Sequence, residues 1–202
     1  MNKVMLGPTT MVYPQPTLLI GANVDGKPNF LAVAWAGVAN GMPPMISAAL
    51  RHNRHTLKGI RQNMTYSANV PSVDMVKEVD YCGVVSGSKG DKVGVCRFKL
   101  FYGKLGAPLI EQCPVNMECT VLHIIDLGSH SLVVGRIEET YVSEDCLKDR
   151  EPDAGKIKPL IYTTGKGGEY RALGRFIGKA FNVGKELFGD MEADMSYAEA
   201  LD

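Results

Sequence analysis

Between Gly26 and Val73 the chain has no aspartate or glutamate, although 22 acidic residues are spread over its 202 positions. Even scatter would put about five acids in a window of that size. The same window holds Lys27, Arg51, Arg54, Lys58 and Arg61, so a chain of zero net charge is locally basic. Buried strands would account for the missing acids. They do not account for the cations and histidines crowded into LRHNRHTLKGIRQ from Leu50 to Gln62.

Other absences narrow the chemistry. No GxGxxG follows a strand, TTGKGG from Thr163 to Gly168 lacks P-loop spacing, and neither a GxSxG elbow nor HExxH is present. Five cysteines form no CxxC, which fits free thiols in a reducing compartment, and none has an assigned role. Cys113 and Cys119 would stand about 20 Å apart along a strand, too far to share a metal. No run of about 18 uncharged apolar residues and no signal peptide is found, so a cytoplasmic protein without a membrane span is expected. Neutral net charge, a pI near 6.9 and 7% aromatics disfavour a nucleic-acid partner.

What is present reads as one domain over 1–202, with a tail over about 188–202 and no internal repeat. Thr17 to Val24 is an apolar run ending at Asp25-Gly26, a hairpin signal, and Pro28 to Asn40 follows as an extended stretch rich in alanine and glycine. Met45 to Leu50 and Thr65 to Val70 read as strands. Met117 to Leu127 and Ser131 to Tyr141 read as a long hairpin with His130 at its tip, and alternation puts His123 on an apolar face, as a packed structural residue. Asn53, Leu57, Ile60 and Met64 predict a capped helix, Asp74 to Val84 a second, and Phe176 to Phe188 a C-terminal one. Ser86 to Lys92 reads as a loop, and at most one short strand is expected after Pro159. Six or seven strands without regular strand–helix alternation favour an antiparallel barrel with short helices over a parallel doubly wound sheet.

The basic helix start invites three ligands. His52 and His55 at i, i+3 have metal-ligand spacing, but Arg51 and Arg54 beside them would repel a metal, and no metal is expected. An anion fits better: first-turn N–H groups, the Thr56 hydroxyl and the guanidinium of Arg51 or Arg54 would cradle a phosphate without a glycine loop. The adjacent small-residue strands leave backbone free to lie against a flat ring. A small phosphorylated aromatic cofactor satisfies both features, with Lys58 and Arg61 left as a solvated helix face.

The segments NFLAVAWAGVANGMPPMISAAL, RHNRHT, SANVPS and SGSKGDK, in that order, resemble the flavin reductase-like, FMN-binding split-barrel family, and within it the flavoredoxin branch. The resemblance spans roughly Pro14 to Leu187. It implies a mainly β, antiparallel Greek-key split β-barrel, a homodimer, and FMN as cofactor near the dimer interface. Carried onto this chain, it places Asn29, Trp35 and the Ala34–Gly37 backbone, including Ala36, beside the flavin ring, with Ser47, Ala48 and Ala49 lining it. Arg51, Thr56 and His55 would hold the phosphate, Lys92 would sit at the ring's polar edge, and His130 and Tyr162 would complete the wall. The implied activity is flavoprotein oxidoreduction, with electrons from NAD(P)H or a redox protein and no side chain acting as a catalytic acid or base. A flavoredoxin-type electron carrier and a non-catalytic FMN-binding module are the alternatives.

Overall fold

The computed structural model describes residues 1–165 and 167–188. The expected tail lies outside the described residues from position 189 onward. Seven strands form one sheet: β1 (Leu18–Val24), β2 (Lys27–Val33), β3 (Ala36–Asn40), β4 (Met45–Arg51), β5 (Thr65–Val70), β6 (Val115–Asp126) and β7 (His130–Val142). Their order is β2-β1-β5-β6-β7-β4-β3, and each pairing is antiparallel. The mainly β, antiparallel class with short helices is therefore borne out. The sheet curls until β2 and β4 approach each other across a split.

Alternation along β1 explains the layering. Leu18, Ile20 and Ala22 face the barrel interior with Leu31, Val33, Tyr66 and Val133, whereas Leu19 faces outward with Phe30. That outer face is covered by α2 (Val76–Val84), which buries Val79 and Cys82. Helix α1 (His55–Asn63) closes the barrel end with Leu57 and Ile60, both at most 2% exposed. Each such burial contributes about 1.5–3 kcal/mol, which outweighs the roughly 0.3–1 kcal/mol cost of a cation near a helix start.

Several local expectations change. The extended run over 28–40 breaks at Ala34 and Trp35, because β2 and β3 lie at opposite ends of the sheet and the chain must cross the split between them. Arg54, not Asn53, is the N-cap of α1, and no side chain caps it. In β6 a register shift against β7 leaves Leu122 unpaired, and His123 beyond it is exposed rather than packed. Lys58 and Arg61 are not simply solvated: Lys58 Nζ pairs with Asp25 at 2.6 Å and Arg61 donates to Ser131 Oγ at 3.0 Å. Lys92 opens a short helix, α3 (Lys92–Val95), instead of ending a loop. Two short strands follow Pro159, Ile161–Thr163 and Glu169–Arg171, forming a small sheet with Gln15–Pro16. The C-terminal helix expected over 176–188 is reduced to a 3-10 turn, Val183–Phe188, with Phe176 and Ile177 exposed; a short helix with no surface to pack on is not stable by itself.

Candidate functional site

The chain crosses the split at Ala34-Trp35, and a groove forms there. Ala36 N–H donates to the Ala34 carbonyl at 3.0 Å and Ala49 N–H to the Trp35 carbonyl at 2.8 Å, which fixes Trp35 at the corner. Its ring, 40% exposed, stacks on His130 with centroids 4.8 Å apart. His130 begins β7 directly opposite Arg51 of β4. Partial burial, then the charges of Arg51, His52 and Arg54, hold its pKa below the ordinary histidine value, so the imidazole is neutral at neutral pH. Tyr162, edge-on to Tyr170 at 5.8 Å, forms the facing wall. Ala34, Ala49 and Leu31 complete the lining of a cavity of about 310 Å³.

Leu31 and Arg54 also line a second, narrower cavity of about 100 Å³ at the start of α1, so the two are parts of one groove. Here Asn29 Nδ2 donates to Thr56 Oγ1 at 2.7 Å, and both residues are buried. His55, Ser86 and Gly87 line the same space. A side chain at Gly87 would collide with the Asn29 amide, so glycine keeps this wall open. The first turn of α1 carries no acid and no side-chain cap, leaving its N–H groups available to an anion. Neither Arg51 nor Arg54 has a carboxylate partner among the described residues.

Lys92 is only 3% exposed and lines this helix end. Its ammonium donates to the Phe30 carbonyl at 2.7 Å and the Cys82 carbonyl at 2.8 Å. Burial lowers its pKa, since no carboxylate compensates the charge.

The residues selected from the sequence thus fall into three groups. Ala34, Trp35, Ala49, Arg51, His130 and Tyr162 meet at the aromatic end. Asn29, His55, Thr56 and Lys92 meet at the helix end. Ala48 faces the barrel interior, and Ala36 packs partly against that core. Ser47 donates to the Gly37 carbonyl at 3.3 Å across the β3–β4 pair. His52 turns away from His55 and binds the hairpin tip, 2.6 Å from the Gly128 carbonyl and 3.3 Å from Asp126. No cluster of metal-ligating side chains occurs among the described residues. Nor is any helix among them long and apolar enough to cross a membrane.

Sequence reasoning left out Arg54 as a site residue in favour of Arg51, yet Arg54 joins the two ends of the groove; its place in the cation cluster was the available signal. Tyr170, Thr17 and Gly87 were missed, and no local pattern marks them. Thr17 lines the aromatic end, and its buried Oγ1 has no hydrogen-bond partner in the protein. Buried hydroxyls are normally satisfied, so this one points to a polar partner from outside the chain. A flat polar ring at one end and an anion at the other suit the groups present.

Residues 10–172 match the family described as "Flavin reductase like domain". Over 93% of its length the chain is similar to all of the flavoredoxin structure from Methanosarcina acetivorans, with 37% identity and a TM-score of 0.88. Against flavoredoxin of Desulfovibrio vulgaris (Miyazaki F) the identity is 34%, the TM-score 0.84, and the coverage 91% of this chain and 100% of that one. An FMN-binding protein from Thermus thermophilus shares the fold at 24% identity and a TM-score of 0.74, covering 88% of this chain and 99% of that one. With the curled antiparallel sheet and the groove at its split, these likenesses make the chain a split-barrel protein that belongs to the flavin reductase-like domain family.

Proposed function

We propose that this chain is an FMN flavoprotein that passes electrons through its cofactor to an acceptor, in the manner of a flavoredoxin. The groove carries this reading: an aromatic-walled, small-residue floor leads to an uncapped helix start with Arg54, Thr56 and a buried ammonium. When bound, FMN supplies reversible electron transfer that no side chain here provides. The residues bind and orient. Ala34, Ala49 and Trp35 would cover the ring and exclude water. Arg51, Arg54, Thr56 and the first-turn N–H groups would hold the phosphate, assisted by His55 and Asn29. Lys92, placed at the helix end, would add its positive charge near the phosphate side rather than at the ring's polar edge.

The likeness to two flavoredoxins favours a carrier reduced by another redox protein. Oxidation of NAD(P)H is the second reading, favoured by the family match. A carrier is expected to show no flavin bleaching when mixed with NADH or NADPH in stopped flow, whereas rapid bleaching with either would assign a reductase. Purified protein that neither shows flavin absorbance nor takes up added FMN would end both readings, and a bound flavin that is not reoxidised by any external acceptor would leave a non-catalytic module. Replacing Arg51 and Thr56 together by alanine should weaken FMN about tenfold or more while sparing riboflavin, since charged hydrogen bonds contribute roughly 1.5–3 kcal/mol. Equal weakening of both would move the phosphate elsewhere.

A homodimer completes the proposal. Val38 and Met42, 85% and 90% exposed, form an apolar edge beside Trp35 that a second copy would cover. Sedimentation equilibrium tests it; a monomer at tens of micromolar would count against it.

A further inference from the structure

Past the helix end, the groove widens at Asn29, His55, Gly87 and Lys92 into a third chamber of about 830 Å³, edged by Lys27 and Lys89. That volume lies within the range of small-molecule sites, roughly 300–1,000 Å³, and far exceeds what one phosphate needs. The chamber's two acids are already engaged. Asp25 accepts from Lys58 at 2.6 Å and Gln62 at 3.0 Å, and Asp91 caps α3 by accepting from Gly94 N–H at 3.0 Å. Its cations are not: Lys27 and Lys89 have no carboxylate partner among the described residues. Lys92, buried where the two cavities meet, has only neutral carbonyls as partners. A buried ammonium and two rim ammoniums facing one chamber call for negative charge beyond that of a phosphate seated at α1.

We infer that this chamber binds an adenosine phosphate, either joined to the flavin phosphate as in a flavin dinucleotide or brought by a separate nucleotide. The inference rests on the flavin reading for the order of groups along the groove: ring, first phosphate at α1, then second phosphate and nucleoside. Lys92 and His55 stand between the two phosphate positions, and Lys27 and Lys89 flank the outer one.

Calorimetric titration of the full chain with FMN and with FAD, and of the FMN-loaded protein with ADP, tests this, each repeated on the Lys27→Ala, Lys89→Ala double variant. FMN affinity should agree within about twofold between the two proteins. The wild type should bind FAD more tightly than FMN, or should bind ADP on top of FMN, and the variant should lose about tenfold on that ligand alone. A gain with FAD identifies a joined adenosine phosphate, and binding of ADP a separate one. Normal FMN binding with no gain from FAD and none of ADP would overturn the inference while leaving the flavin reading intact. So would equal losses on FMN and the adenosine ligand in the variant. Should the wild type bind no FMN, the flavin reading fails instead, and ADP titrated into the bare protein still decides whether the chamber takes an adenosine phosphate.

Discussion

Lys92 shows how a single side chain changes meaning between sequence and structure. In SGSKGDK it reads as a loop lysine, yet it is buried against the Phe30 and Cys82 carbonyls. Burial lowers its folded pKa. Between that value and the ordinary lysine pKa, the unfolded chain binds more protons than the native one, so stability from this group rises with pH across that window. The difference in Tm between wild type and Lys92→Met should therefore shift in favour of the wild type as pH is raised from neutral toward about 10. A difference independent of pH would mean that the lysine titrates normally. Thr17 carries the opposite lesson, a polar atom without a partner. Replacing it by valine removes a buried unsatisfied hydroxyl and should raise the ligand-free Tm by roughly 2–4 °C, the equivalent of about 1 kcal/mol; a fall in Tm would show that the hydroxyl is satisfied. Neither feature is legible in the sequence, because the atoms that bury Lys92 and Thr17 come from distant segments.

At the scale of an element, α1 was the most readable part of the site. Apolar spacing at Leu57 and Ile60 marked it, and the cations around it marked its role. Its docking was not readable. Gly59 lies against the backbone carbonyl of Asn23 at the end of β1, and a Cβ there would overlap it. Gly59→Ala should push the helix off the barrel end and destabilise the protein by about 1–3 kcal/mol, seen in urea as a lower midpoint with an unchanged m-value. Wild-type stability would show that the helix can slide without loss. Two other elements went astray for identifiable reasons. His123 was placed inward by strict alternation, which the extra residue at Leu122 breaks. The C-terminal segment has helical spacing, but its apolar side chains meet no surface among the described residues near enough to bury Phe176 and Ile177.

For the whole molecule, the groove at the split joins β2, β4, α1, β7 and the strand Ile161–Thr163. A ligand bound there only in the folded state must stabilise all of them together. FMN at 100 times its Kd should add about 2.7 kcal/mol, raising Tm by roughly 5–10 °C; no shift at saturating FMN would contradict the assignment. The antiparallel class, the hairpin at Asp25-Gly26, the long β6–β7 hairpin and the acid-free basic window follow from the sequence alone, since strand period, turn chemistry and charge are properties of neighbouring residues. Which of Arg51 and Arg54 links the two ends of the groove, that Lys92 is buried, and that Thr17, Trp35, His130, Tyr162 and Tyr170 surround one cavity were decided only by the tertiary structure. The chain has to cross the split at Ala34-Trp35 for the curled sheet to form, and that crossing brings together residues more than a hundred positions apart that share no local pattern.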